Sequence, residues 1–367
     1  MIRQTVARVD LDGVRANAAA IAAFLDGRSR LIAVVKANAY GHGAAEIGRA
    51  LERAGAAMLA CADIEEGVAL REAGIGIPIL VFGALSVSDL DGIFSHDLTP
   101  TISTPSAARA LEAAAARHGR PLACHLKIDT GMNRLGFRHD NLARTIPEVA
   151  ANRHLQIEAV YTHFATADDP VNPLFGEQRE RFEAALALLP SLGIDTPVRH
   201  AANSAALLRD ERVWYDYVRP GLLLYGIVPP PLATTLPVGP VLSLVSRIVA
   251  VKGVRPGEGT GYGMKVTMDR PATIAVVPAG YADGLDLRLG GRGFMLVRGR
   301  RMPIVGSVCM DMTMIDVTGT DVAPGDEVVI VGTQGSESIG MREIAATIGT
   351  IPYELLCRLG ARIQRLY

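Results

Sequence analysis

Hydrophobic positions along the chain fall into two textures. From residue 31 to about 230, short aliphatic and β-branched runs alternate with longer stretches rich in Ala, Leu, Glu and Arg. The runs at 31–35, 57–61, 77–82, 98–102, 122–128, 157–163, 197–201 and 218–225 predict strands. The stretches at 44–54, 64–73, 86–95, 105–118, 140–151, 174–191 and 203–210 have helical spacing. Thr104-Pro105 and Gly119 mark a start and a stop for one of them. Ile32 to Val35 is apolar without alternation, which suits a strand buried on both faces. Eight strands, each but the last followed by a helix, fit a (β/α)8 barrel better than an open doubly wound sheet.

The texture changes after Pro229-Pro230-Pro231, a stiff break that no helix crosses. Val241 to Val251, Ala272 to Val277, Phe294 to Val297, Met312 to Val317 and Glu327 to Val331 are β-rich. Turns such as Arg255-Pro-Gly257 and Ala323-Pro-Gly-Asp326 separate them, with no helices between. This predicts a mostly antiparallel β-domain, with one helix at Met341 to Ile348. The expected division is a barrel over residues 1–232 and a β-domain over 233–367.

Composition narrows the function by exclusion. The 367 residues suffice for a large barrel plus a smaller domain, and 49% apolar content supplies a core. A net charge of −1 argues against a nucleic-acid partner. No apolar run is long enough to span a membrane, and Met-Ile-Arg-Gln-Thr-Val has no signal-peptide core. Cys61, Cys124, Cys309 and Cys357 form no CxxC pair, so they read as reduced thiols of a cytoplasmic protein, with no metal site.

The chemistry collects at strand ends. Lys36 follows the first strand and opens a loop containing Tyr40, Gly41 and Gly43. Lys127-Ile-Asp-Thr-Gly-Met-Asn-Arg134 follows the fifth strand, and Tyr161-Thr-His163 ends the sixth. Ala202-Asn-Ser204 follows the seventh strand, and Arg219-Pro-Gly221 lies at the eighth. Taken singly, His163 suits a core histidine, Ser204 a helix cap and Arg219 a structural ion pair. Their shared address at the C-terminal mouth of a barrel favours a site. Ser204 and the amides near Gly221 could cradle a phosphate, while a desolvated Lys36 could hold an aldehyde. Phosphate and aldehyde together describe pyridoxal 5′-phosphate (PLP). Gly257-Glu-Gly-Thr-Gly-Tyr-Gly263 lacks the spacing and the strand–turn–helix context of a dinucleotide loop.

Val35-Lys36-Ala-Asn-Ala-Tyr-Gly-His-Gly43 resembles the PLP-lysine motif of bacterial alanine racemases. The likeness continues through 127–136, 162–168, 219–221, 259–263, Gly280-Tyr-Ala-Asp-Gly284, Val308-Cys-Met-Asp-Met312 and Thr350-Ile-Pro-Tyr-Glu354. The resemblance implies a PLP-binding (β/α)8 barrel followed by a β-domain with which the first residues pair. It further implies a homodimer whose barrel mouths are each covered by the partner's β-domain.

By position, Lys36 would form the Schiff base. Tyr40, Ser204, Gly221, Leu222 and Tyr353 would hold the phosphate. Arg134 would contact the cofactor's phenolic oxygen and the substrate carboxylate, and Met310 would meet that carboxylate through its backbone. Arg219 would face the pyridine nitrogen, supported by His163. Tyr262 of the other subunit would be the second catalytic base, its phenol flanked by His-type and Arg-type neighbours. Tyr281, Asp311 and Tyr353 would line the substrate's access corridor, and Lys127 would carry a carbamate that orients Arg134.

The implied reaction is interconversion of L- and D-alanine by two bases. It would supply D-alanine for peptidoglycan or break it down. Two other classes stay open at this point: a PLP decarboxylase on the same barrel, and a PLP carrier without enzymatic activity. The first would need a carboxylate where Arg219 stands; the second would leave residues 232–367 unexplained.

Overall fold

A computed structural model describes residues 4–83, 85, 89–195 and 198–367. The chain divides into two units, one of Val14–Ala39 with Ala44–Val238, the other of Met1–Gly13, Tyr40–Gly43 and Gly239–Tyr367.

In the first unit, eight parallel strands close on themselves. Around the ring they are Arg30–Val34, Met58–Cys61, Ile79–Val81, Thr99–Ile102, Leu122–Asp129, Leu155–Tyr161, Val198–His200 and Tyr217–Val218. The ring closes where Val218 pairs with Leu31. Helices over Ala44–Arg53, Ile64–Glu72, Pro105–His118, Leu142–Ala150 and Leu174–Leu188 follow strands as a right-handed barrel requires. Thr104 caps the Pro105–His118 helix through the Ala107 amide, and Gly119 ends it in the left-handed region.

Several elements differ from the sequence reading. The 218–225 run stops as a strand at Val218, because Pro220 lacks an amide for the ladder. Leu222–Tyr225 then coils into a buried 3-10 turn ended by Gly226 at φ 71°. Within the 86–95 stretch a helix covers Asp91–Ser95; positions 86–88, like position 197 of the expected seventh strand, lie outside the described residues. Leu11–Leu25 is a helix that the reading passed over, although Val14, Ala18, Ile21 and Leu25 recur on one buried face.

The second unit contains a ten-stranded sheet, antiparallel except where Val6–Val9 runs parallel to Gln364–Leu366. The 241–251 run is two strands, Leu242–Arg247 and Ala250–Val254, on either side of Ile248-Val249. Arg300–Val305 is a strand that Pro303 disguised in the sequence. Met341–Ile348 is helical as expected, and Pro352–Cys357 adds a short helix.

Candidate active site

The first barrel strand delivers Lys36 into an unusual backbone. Ala37, Asn38, Ala39 and Tyr40 have φ of 53°, 52°, 53° and 51°, a left-handed turn of four non-glycine residues. Each such residue costs about 1–2 kcal/mol, so the turn persists only because its surroundings fix it. Glu66 holds the Ala37 amide at 2.6 Å and the Ala62 amide at 2.8 Å. The Asn38 side chain accepts from the Ala44 amide at 2.8 Å, and the Ala39 amide donates to the Val35 carbonyl at 2.7 Å. Lys36, half-buried, is thereby set at the barrel end by a stiff loop.

Arg219 is 3% exposed and makes no ion pair among the described residues. Its Nη2 donates to the Thr162 and Ala201 carbonyls at 2.8 and 2.9 Å and lies 3.3 Å from His163 Nδ1. Its Nη1 donates to His200 Nδ1 at 2.8 Å. A guanidinium only donates, so His200 must accept at Nδ1 and carry its proton on Nε2. That proton points to His125 Nδ1 at 3.0 Å. Both imidazoles are therefore neutral. Burial and then Arg219 hold His200 well below the usual imidazole range and His125 at about 3. His163 is likewise held well below it, by burial and then by Arg219. Tyr161 stacks on His200 at 4.6 Å and bonds Thr101 at 3.0 Å. Burial lowers Arg219 to about 10, which leaves it cationic at neutral pH. Its Nε–H and one Nη1–H have no acceptor among the described residues.

Ser204 opens the helix after the seventh strand, where Asn203 is the cap. The Ser204 hydroxyl accepts from the Gly221 and Leu223 amides at 3.0 and 3.3 Å. The Leu222 amide between them has no acceptor among the described residues. Lys127 is buried, with its ammonium 5.7 Å from the Tyr161 ring centre. Burial, followed by the charges of Arg134 and Arg219, lowers its amine to about 8. Arg134 is exposed.

The remaining predicted residues belong to the second unit. Tyr40 and Tyr353 are ring neighbours at 6.0 Å, and burial pushes the Tyr40 phenol up. Gly41 is required there: with φ 78°, a Cβ would come within 2.2 Å of the Leu356 carbonyl oxygen. Tyr262 sits between Gly261 and Gly263, both at positive φ, and is 77% exposed. Tyr281, Met310 and Asp311 also reach the surface. The loops carrying Tyr281 and Met310 meet through the backbone, the Tyr281 amide donating to the Cys309 carbonyl and the Ala282 amide to the Met310 carbonyl.

Comparison with known proteins decides what these residues belong to. The "Alanine racemase, N-terminal domain" family model matches residues 9–229, and the "Alanine racemase, C-terminal domain" model matches 241–367. The chain belongs to the alanine racemase family.

A curated alanine racemase of Symbiobacterium thermophilum is 42% identical over 100% of this chain and 97% of its own length. The solved alanine racemase of the D-cycloserine producer Streptomyces lavendulae matches with a TM-score of 0.96. It is 37% identical, covering 100% of this chain and 97% of that one. A Bartonella henselae alanine racemase, solved with covalently bound pyridoxal phosphate, has a TM-score of 0.88 and 26% identity, covering 99% of each chain.

The barrel residues of this family member fit that cofactor. The Arg219 donors without acceptors match a pyridine nitrogen, and the Leu222 amide beside the Ser204 hydroxyl matches a phosphate. Sequence reasoning missed His125, His200 and Glu66. A period-two count back from Lys127 puts His125 on the same barrel-interior face, which was the available signal. Glu66 acts through an amide pair that no local pattern reveals.

Proposed function

We propose that the chain interconverts L- and D-alanine with PLP. The full-length likeness to alanine racemases carries this reading. PLP, when bound, supplies an electron sink that makes the substrate Cα–H acidic. Lys36 would hold the cofactor's aldehyde carbon, Ser204, Gly221 and Leu222 its phosphate, and Arg219 its ring nitrogen; Tyr40 and Tyr353 would also serve the phosphate. Because Arg219 keeps its own proton, it would donate a hydrogen bond to that nitrogen and supply it no proton.

Inverting Cα requires proton removal on one face and delivery on the other. Lys36 Nζ serves one face and the phenol of Tyr262 of the partner subunit the other. The homodimer this implies is supported by Tyr262, Met264 and Met310, large apolar side chains 77%, 64% and 52% exposed in the single chain. The Met310 amide and Arg134 hold the substrate carboxylate. Tyr281, Asp311 and Tyr353 line its access corridor and favour a small side chain, with serine only weakly rejected. A carbamate on Lys127 pairs with Arg134; a carbamate carbonyl signal after exposure to 13C-bicarbonate is the check.

No helix among the described residues is long and apolar enough to cross a membrane, and the four free thiols suit the cytoplasm. The D-alanine made there would serve peptidoglycan, or its breakdown would be the purpose. The decisive assay is chiral: D-alanine appears from L-alanine with the wild-type chain. Lys36→Ala loses both this activity, by ~10³-fold or more, and the visible absorbance of bound cofactor. Carbon dioxide release in place of D-alanine would point to a decarboxylase.

A further inference from the structure

In the second unit the turn Gly280–Gly284 is wedged between two other loops. On one side the Tyr281 and Ala282 amides donate to the Cys309 and Met310 carbonyls at 3.0 and 3.1 Å. On the other, the Gly360 amide donates to the Asp283 carbonyl at 3.2 Å. A Cβ on Gly280 would stand 2.4 Å from the Met310 carbonyl oxygen, and one on Gly360 would stand 2.5 Å from that of Ala282.

Asp283 lies at the centre, fully buried. Its carboxylate accepts from the Gly280 amide at 2.9 Å and from Arg362 Nε at 2.8 Å, with Arg362 Nη2 at 3.2 Å. The same guanidinium reaches outward. Its Nη2 lies 3.3 Å from the Met310 carbonyl, and its Nη1 pairs with Asp311 at 2.7 Å. Arg362 thus ties a buried carboxylate to an exposed one across the Met310 peptide. With the Met310 carbonyl taken by the Ala282 amide and Arg362, the Met310 N–H has no acceptor among the described residues.

We propose that Arg362, anchored on Asp283, is a positioning residue that aims the Met310 N–H at the substrate carboxylate and holds Asp311 at the access corridor. The proposal rests on the reading of Met310 and Asp311 given under the function. Three acceptors in different directions need a planar fork of donors. A lysine offers one point charge and cannot span them.

Steady-state kinetics of the holoenzyme in both directions test it. Arg362→Ala raises the alanine KM by ~10-fold, the low end for losing one hydrogen bond to a charged group, with kcat within ~2-fold and the bound-cofactor absorbance unchanged. Arg362→Lys falls between it and wild type. Asp311→Asn, at the exposed end, leaves the Asp283 anchor intact and raises KM by ~2–3-fold. A wild-type KM in Arg362→Ala, or a fall in kcat alone, overturns the clamp. Where the alanine variant does not fold, a wild-type KM in both Arg362→Lys and Asp311→Asn does the same. A wild-type chain that does not racemise alanine would instead remove the reading beneath it.

Discussion

Two arginines of this chain are held firmly, and by opposite means. Arg219, 3% exposed, is surrounded by carbonyls and a neutral imidazole. Arg362, with 37% of its side chain exposed, is held by the carboxylates of Asp283 and Asp311. Neutral acceptors fix a guanidinium without cancelling its charge, so Arg219 keeps a full cation and spare donors for a ligand. Carboxylates cancel the charge they fix, so Arg362 becomes a strut between loops. The partners of an arginine therefore report its task better than its burial does. The neutral shell around Arg219 depends on burial, which keeps His200 and His125 from becoming cations themselves.

The contrast can be broken most forcefully by placing a carboxylate where Arg219 stands. Arg219→Glu would keep the ring nitrogen protonated and spread the developing charge into the ring. Racemisation should fall by ~10²–10³-fold, the usual cost of a lost preorganised donor, and pyruvate should appear by transamination. Clean racemisation without pyruvate would sink the assignment.

On the exposed side, Tyr262→Phe should slow the reaction from L-alanine by ~10²-fold. Exchange of the Cα proton of D-alanine with solvent deuterium should survive through Lys36. Equal losses of Cα-proton exchange from L-alanine and from D-alanine would remove the division of labour between the two bases.

The mildest test concerns the neutral shell itself. His125 and His200 have folded pKa values below the ~6.5 of a free imidazole, so the unfolded chain takes up protons first. Their contribution to stability is whole above pH ~6.5 and falls as the pH drops below it, by up to ~1.4 kcal/mol per unit per histidine, the fall for His125 running down to about 3. In urea titrations, His125→Gln should flatten that slope. An unchanged slope would mean that His125 takes up no extra proton on unfolding.

The strand before Lys36 was legible because an unalternating apolar run has few other uses, and the addresses of Lys127 and His163 followed from counting strands. The conformation after Lys36 was not. Ala37 and Ala39 carry no mark of a left-handed turn and Asn38 only a weak one; the hand comes from Glu66 and from the Asn38 side chain folding onto Ala44. The Asp283–Arg362 pair was hidden for another reason. The partners are 79 residues apart, and only Asp283 falls within a motif that the eye can catch. Helix Leu11–Leu25 was readable, its apolar spacing being regular, but it precedes the first barrel strand and falls outside the strand–helix alternation from residue 31 onward.

The turn after Lys36 also bears on mirror symmetry. Its φ values near +50° are those of a right-handed helix reflected, the region that L-residues avoid and D-residues prefer. In a semisynthetic chain, D-alanine at position 37 or 39 would relax this backbone where L-alanine strains it. A protein proposed to invert alanine would thus accept its own product, as a building block, beside the lysine that makes it.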